Sequence, residues 1–144
     1  MGFFFQTIKE NMNLVIGIKS TIKFYNRRKR MRKTWLKNIN NYPNVNYFFL
    51  VGGVNVCINE LVIDDIVVDP HCPDNYEFIP QKSWSIFCYA IKNFIFDYIF
   101  LCDDDTFVNL DRLINFDCCG ENYIGQDIGN YASGGAGMFL SRIS

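Results

Sequence analysis

The sequence predicts an α/β layered domain built on a mostly parallel sheet, and three observations predict it. Strand-like and helix-like segments alternate along the chain. The strand-like runs are short and apolar, as buried strands are. A length of 144 residues, with 49% hydrophobic and 17% aromatic side chains, suits one packed domain over 1–144 and excludes a disordered tail.

The elements follow in order. Asn13 to Ile18 is the first strand, and the polar Lys19-Ser20-Thr21 follows at its C-terminal end, where open α/β sheets bind ligands. Asn26 to about Asn38 is helix-compatible, with Met31 and Trp35 on a narrow apolar stripe that places this helix at the surface. Tyr47 to Val51 reads as a second strand ended by Gly52-Gly53, and Leu61 to Val68 as a third carrying Asp64 and Asp65. Pro70, Pro73 and Pro80 mark a loop. From Ser83, the residues Trp84, Phe87, Cys88, Ile91 and Phe94 or Ile95 recur at helical spacing and predict a buried face. Tyr98 to Cys102 is a further buried strand that runs into Asp103-Asp104-Asp105.

The formal net charge of −1 conceals a division. Residues 1–50 carry ten Lys/Arg against one acid, and residues 51–144 carry four against fourteen acids. Such a division suits an anionic ligand clamped beside a metal ion, or equally a solvated basic helix with an acidic surface elsewhere. Six cysteines (57, 72, 88, 102, 118 and 119) form no CxxC pair, and His71 is the only histidine, so no zinc site is spaced out. The apolar start Met1 to Phe5 is interrupted by Gln6, Lys9 and Glu10 before a signal core or membrane span is complete. These features predict reduced thiols, no membrane span and a cytoplasmic location.

Three consecutive aspartates at the exit of an apolar strand repel one another unless a cation sits among them. In extended geometry Asp103 and Asp105 project to one side and Asp104 to the other. Two carboxylates on one face can hold a hard divalent cation, which can bridge a diphosphate. The competing structural role is an acidic turn that caps a helix starting near Asn109. A phosphatase DxDx(T/V) pattern is out of register, with Phe107 where Thr or Val belongs. GxxxxGK(S/T) does not occur.

Together these pieces resemble one family. Arg27-Arg28 followed by Arg32, Thr34 and Trp35 is similar to an RRxxIRxTW segment, and Phe49-Leu50-Val51-Gly52 to an FLxG strand. Asp74, Tyr76 and Lys82 reproduce a D-x-Y-x-x-x-x-x-K element. Asp103 to Asn109 is similar to DDDxFVN, and Tyr131 to Ser141 to Y-x-S-G-G-x-G-x-x-x-S. The chain resembles the β1,3-glycosyltransferases of glycosyltransferase family 31, including galactosyltransferases and fringe-type enzymes.

That resemblance implies a GT-A fold, of which this chain is the donor-binding N-terminal portion, and an inverting transfer from a UDP-sugar to a glycan or glycoprotein hydroxyl in β1,3 linkage. It implies Mn2+ or another divalent cation, held by Asp105 and by Asp103. It implies donor contacts from Thr21, Arg28, Arg32, Lys82, Asp103, Asp104, Gly134 and Gly135, the glycines letting backbone approach the sugar. The family places its catalytic base in an acidic element after the GGxG segment, and a histidine metal ligand further on. Both are expected beyond Ser144, so the catalytic residue is unknown here. Two other readings stand beside this one: a noncatalytic remnant that binds UDP or a partner, and a nucleic-acid-binding module built on the basic Arg27 to Lys33. The family resemblance favours the transferase, with no nucleic acid as partner.

Overall fold

The computed structural model describes residues 12–53, 65–127, 129 and 136–143. Its frame is a six-stranded sheet of β1 (Leu14–Lys19), β2 (Val45–Gly52), β3 (Ile66–Asp69), β4 (Tyr98–Asp103), β5 (Tyr123–Gly125) and β6 (Met138–Ser141). The strand order is β3-β2-β1-β4-β6-β5. β1 is parallel to both β2 and β4, and β2 is parallel to β3. β6 runs antiparallel to β4 and β5, so the sheet is mostly parallel, as expected.

β1 sits centrally because all of Leu14 to Lys19 is buried. Its side chains alternate between two layers, as strand geometry requires. Leu14, Ile16 and Ile18 join a core with Met31, Trp35, Val108 and Leu113, whereas Val15 faces Ile86 and Ala90 on the other side. At Gly17 an added Cβ would lie 2.2 Å from Cγ2 of the fully buried Ile86, so this glycine lets the helix seat on the strand.

Two helices depart from their expected limits. A 3-10 turn (Ile22–Phe24) leads into α1 (Tyr25–Lys33), which stops well before Asn38. Thr34 leaves helical geometry at φ −106°, ψ −105°, and its hydroxyl donates to the Arg30 carbonyl at 2.8 Å. The chain continues as a 3-10 helix (Trp35–Asn41), and that change of direction buries Trp35 and Leu36.

α2 (Ile79–Asn93) begins before Ser83, with Pro80 in its first turn, where a missing N–H costs nothing. Its fully buried line is Lys82, Ile86 and Ala90, and of the face expected from the aromatic spacing Phe87 and Phe94 pack beside that line against the core. Trp84 is 67% exposed, and Ile91 and Ile95 are exposed as well. The inward line is set by Lys82, whose ammonium has buried partners described below. Of the expected third strand only its end is described, as β3, and Asp64 lies outside the described residues. A short α3 (Leu110–Ile114) is capped by Asn109, whose side chain accepts from the Arg112 N–H at 3.1 Å. Among the described residues no helix is long and apolar enough to cross a membrane.

Gly17→Ala is expected to lower the unfolding free energy by about 2 kcal/mol through overpacking against Ile86. Urea denaturation checks this. An unchanged midpoint would show that α2 shifts freely on the sheet.

Candidate functional site

Parallel pairing sets Lys19 of β1 beside Asp103 of β4, so both strands end at one place. A cavity of about 360 Å3 opens there. The exits of β1 and β4, the 3-10 turn before α1 and the start of α2 build its wall. The cavity is lined by four cations (Lys19, Lys23, Arg27, Lys82) and four carboxylates (Asp74, Asp103, Asp104, Asp105).

Most of these charges are paired. Lys19 Nζ lies 3.3 Å from Asp103, Arg27 Nη1 lies 3.2 Å from Asp104, and Lys82 Nζ lies 2.6 Å from Asp74. Arg27 is held in place by the Phe24 ring, whose centroid is 3.8 Å from its guanidinium carbon. The Asp105 side chain is 66% exposed, with Arg27 at 4.0 Å. No ion pair involving Lys23 is seen among the described residues.

The aspartates do not keep the extended alternation expected of them. β4 ends at Asp103 and a turn follows, with the Thr106 N–H donating to the Asp103 carbonyl at 3.2 Å. Asp104 is thereby carried into the interior, and Asp105 out to the cavity rim. Asp104 Oδ2 accepts from the Ser20 hydroxyl at 2.8 Å, and that hydroxyl accepts from Arg28 Nη1 at 3.0 Å. A hydroxyl both donates and accepts, so it bridges the buried Asp104 carboxylate and the buried Arg28 guanidinium. Capping of α3 falls to Asn109, not to the aspartates.

Asp74 is a second junction. Its Oδ1 accepts from Lys82 Nζ and from the Gly52 N–H, both at 2.6 Å, and its Oδ2 accepts from the Ile22 N–H at 2.9 Å. Lys82 also donates to the Ser20 carbonyl at 2.7 Å. A Cβ at Gly52 would lie 2.6 Å from Asp74 Oδ1 and 2.2 Å from the Cys72 carbonyl, so only glycine fits there. The loop after β1, the end of β2 and α2 are thus tied to one carboxylate.

Of the residues expected to meet a donor, Thr21, Lys82, Asp103 and Asp104 line this cavity together, with the metal candidate Asp105. The Thr21 Oγ1 is buried without a hydrogen-bond partner among the described residues. Arg28 and Arg32 do not line it. Arg28, 2% exposed, donates to the carbonyls of Thr21 and Ile22 and shapes the loop from beneath. Burial pushes its guanidinium below its ordinary value, Arg32 adds repulsion, and Asp104 and Asp65 oppose them.

Arg32 instead makes a two-pronged pair with Asp65, at 2.9 and 2.8 Å, and Tyr47 donates to the same carboxylate at 2.8 Å. Burial opposes the charge on Asp65, but the bonds from Arg32 and Tyr47 outweigh it and hold the carboxyl below its ordinary value. Gly134 and Gly135 lie outside the described residues. Sequence reasoning gave no donor role to Lys19, Lys23, Arg27 or Asp74. Asp74 had a signal, its place in the D-x-Y-x-x-x-x-x-K element. For Arg27 the signal was the aromatic Phe24 one helical turn before it.

A family model described as Galactosyltransferase matches residues 26–125. Hydroxyproline O-galactosyltransferase GALT2 of Arabidopsis thaliana is 28% identical over 109 residues, covering 70% of this chain and 16% of the relative. GALT5 of the same plant is 32% identical over 112 residues, covering 72% and 16%. The chain spans 16% of the length of these curated relatives. The crystal structure of a glycosyltransferase involved in the glycosylation of the major capsid of PBCV-1 matches with a TM-score of 0.57 at 13% identity. The match covers 91% of this chain and 60% of that one. At that identity the likeness is one of fold, the GT-A-type α/β fold.

Ser20→Ala is expected to lower stability by about 2 kcal/mol, because it leaves the buried Arg28 and Asp104 without their shared bridge. Chemical denaturation reads the loss, and Ser20→Thr should restore most of it. A second expectation concerns pH. The folded Asp65 carboxyl is depressed, so its stabilisation is present above the unfolded value, near pH 4, and is lost as pH falls through the folded value. Asp65→Asn should therefore destabilise at pH 7 by about 2 kcal/mol and flatten the acid limb of the stability curve. Equal slopes for the two proteins would contradict this.

Proposed function

We propose, because this chain belongs to the galactosyltransferase family, that its cavity binds the nucleoside diphosphate of a UDP-sugar and that the protein transfers the hexosyl group to a hydroxyl of a glycan or glycoprotein. The observation that carries the proposal is the state of the charges around the cavity. Three close ion pairs hold the wall together, Asp105 meets Arg27 only at 4.0 Å, and among the described residues Lys23 is in no ion pair. A near-neutral cavity with one available charge of each sign suits an anion that arrives with its own cation.

A divalent cation is tested by the donor set. Among the described residues no group of three His, Cys, Asp or Glu side chains is arranged to hold a metal. Asp105 offers a carboxylate engaged only distantly by Arg27, and Asp103 lines the same cavity. Two hard oxygen ligands from the protein would suit Mn2+ or Mg2+. Asp105 would be the principal ligand and Asp103 the weaker one, because Lys19 competes for it. When bound, the metal would neutralise charge on the departing diphosphate.

The chain's own groups account for the rest of donor binding. The unpartnered Thr21 hydroxyl supplies a hydrogen bond to the nucleotide. Lys23 meets a phosphate oxygen, and Arg27 stabilises negative charge beside Asp104. Lys82 and Asp74 hold the walls. Galactose is the first donor sugar to test, since the relatives are named as galactosyltransferases. Inversion and a β1,3 linkage rest on the family resemblance.

Titration calorimetry with UDP, with and without Mn2+, tests the reading. Binding should strengthen with the metal, and Asp105→Ala should weaken metal-supported binding about tenfold and abolish its metal dependence. Thr21→Val should cost on the order of fivefold. UDP binding indifferent to both Mn2+ and Asp105→Ala would overturn the assignment.

A further inference from the structure

α2 is apolar on two opposite sides. Its inner line of Lys82, Ile86 and Ala90 packs on β1, β2 and β4. Successive residues turn by about 100° around a helix, so the positions opposite that line are Trp84, Cys88 and Ile91. Trp84 is largely exposed, Ile91 is 40% exposed, and Ile95, just past the end of the helix, is 86% exposed. Lys92 is the only charge that α2 exposes. A solvated helix carries polar residues on its outer side, whereas one that is apolar all round is a buried helix. Trp84 also borders an apolar cavity of about 400 Å3 with Phe87, Tyr123, Met138 and Leu140, which extends the patch onto β5 and β6. We propose that the outer face of α2 is a homodimer interface, in which this helix packs antiparallel on the same helix of a second copy.

Three features select a second copy as the occupant. Trp84, Cys88 and Ile91 are spaced as the seam residues of paired helices are, four and then three apart. A two-fold axis presents the same patch on both partners, and an axis beside Cys88 sets the large Trp84 of each copy against the smaller Ile91 of the other. The face also has almost no charge, so it offers a charged partner nothing to pair with, and two copies meet on it with little repulsion. The area is sufficient as well. Trp84, Ile91, Ile95 and Tyr123 expose roughly 500 Å2 of mostly apolar side chain in each copy, so pairing buries about 1,000 Å2 from these alone, the size at which specific interfaces begin. None of Trp84, Cys88 and Ile91 lines the cavity at the strand exits, so the dimer does not depend on the donor reading.

Sedimentation velocity over a dilution series tests the proposal. The chain should be a dimer at about 100 µM and dissociate on dilution toward about 1 µM, as an interface near the lower size limit does. Trp84→Glu and Ile91→Glu, both at exposed positions, should each weaken the dimer more than about tenfold and leave the circular dichroism spectrum unchanged. A short bismaleimide should link two copies through their thiols, and Cys88→Ser should remove that link whereas Cys119→Ser should not. A chain that stays monomeric at the highest concentration would overturn the proposal. Trp35 is buried, so quenchable emission reports Trp84, and its protection from acrylamide in such a monomer would show that another part of the same chain covers the face. A dimer that survives Trp84→Glu and Ile91→Glu together, or a bismaleimide link that persists in Cys88→Ser, would also overturn it.

Discussion

The hydrogen bonds of Ser20 set the geometry of the cavity at the strand exits. The Ser20 N–H donates to the Leu50 carbonyl at 2.9 Å and continues the β1–β2 ladder. Its carbonyl accepts from Lys82, which fixes the start of α2. Its hydroxyl accepts from Arg28 of α1 and donates to Asp104 beyond β4. A buried carboxylate and a buried guanidinium that were not linked would each carry a large desolvation cost, and one hydroxyl offsets much of both. The aspartate turn therefore takes its position from the exit of β1. An acidic triplet in open solvent would have no such constraint.

The charge division in the sequence resolves at this junction into short-range pairing. Lys19 and Arg27, from the basic half, meet Asp103 and Asp104, from the acidic half. The cations of α1 have separate fates. Arg28 is consumed by loop carbonyls, Arg32 by Asp65 and Arg27 by Asp104, while Lys29, Arg30 and Lys33 point outward. A long-range field between a basic and an acidic surface is consequently weak here. Selectivity for an anion would come from the few groups left over at the cavity walls.

The strands were legible because β1, β2 and β4 are apolar at nearly every position, and little else can be done with such runs. Their ends were not, since β1 reaches Lys19 through register with Asp103, a long-range fact. The face of α2 was misread for a physical reason. Lys82, counted as polar, is the residue its buried line starts from, because Asp74 and the Ser20 carbonyl receive its ammonium. Phe87 and Phe94 still pack at the edge of that core, while Trp84 is left facing outward. Around the cavity, Lys82 and the aspartate triplet were picked out by motif, and Thr21 by its place at the exit of the first strand. Two adjacent arginines could not be told apart from composition, because the rotation of α1 sends Arg28 inward and Arg27 to the cavity.

Arg27 shows how far this dependence extends. Its guanidinium stacks on Phe24, bonds Asp104 at 3.2 Å and lies 4.0 Å from Asp105, and it lines both the cavity at the strand exits and a second one of about 320 Å3 that shares Asp104 and Asp105. A planar fork of five N–H donors can hold Asp104 with one and still present others to either cavity. Its placement requires Asp104 to be turned inward, which requires the Ser20 hydroxyl, which is itself held by Arg28. The two neighbouring arginines thus perform one task in sequence. The buried one fixes the hydroxyl that fixes the carboxylate, and the other uses that carboxylate to hold a positive charge between the two cavities.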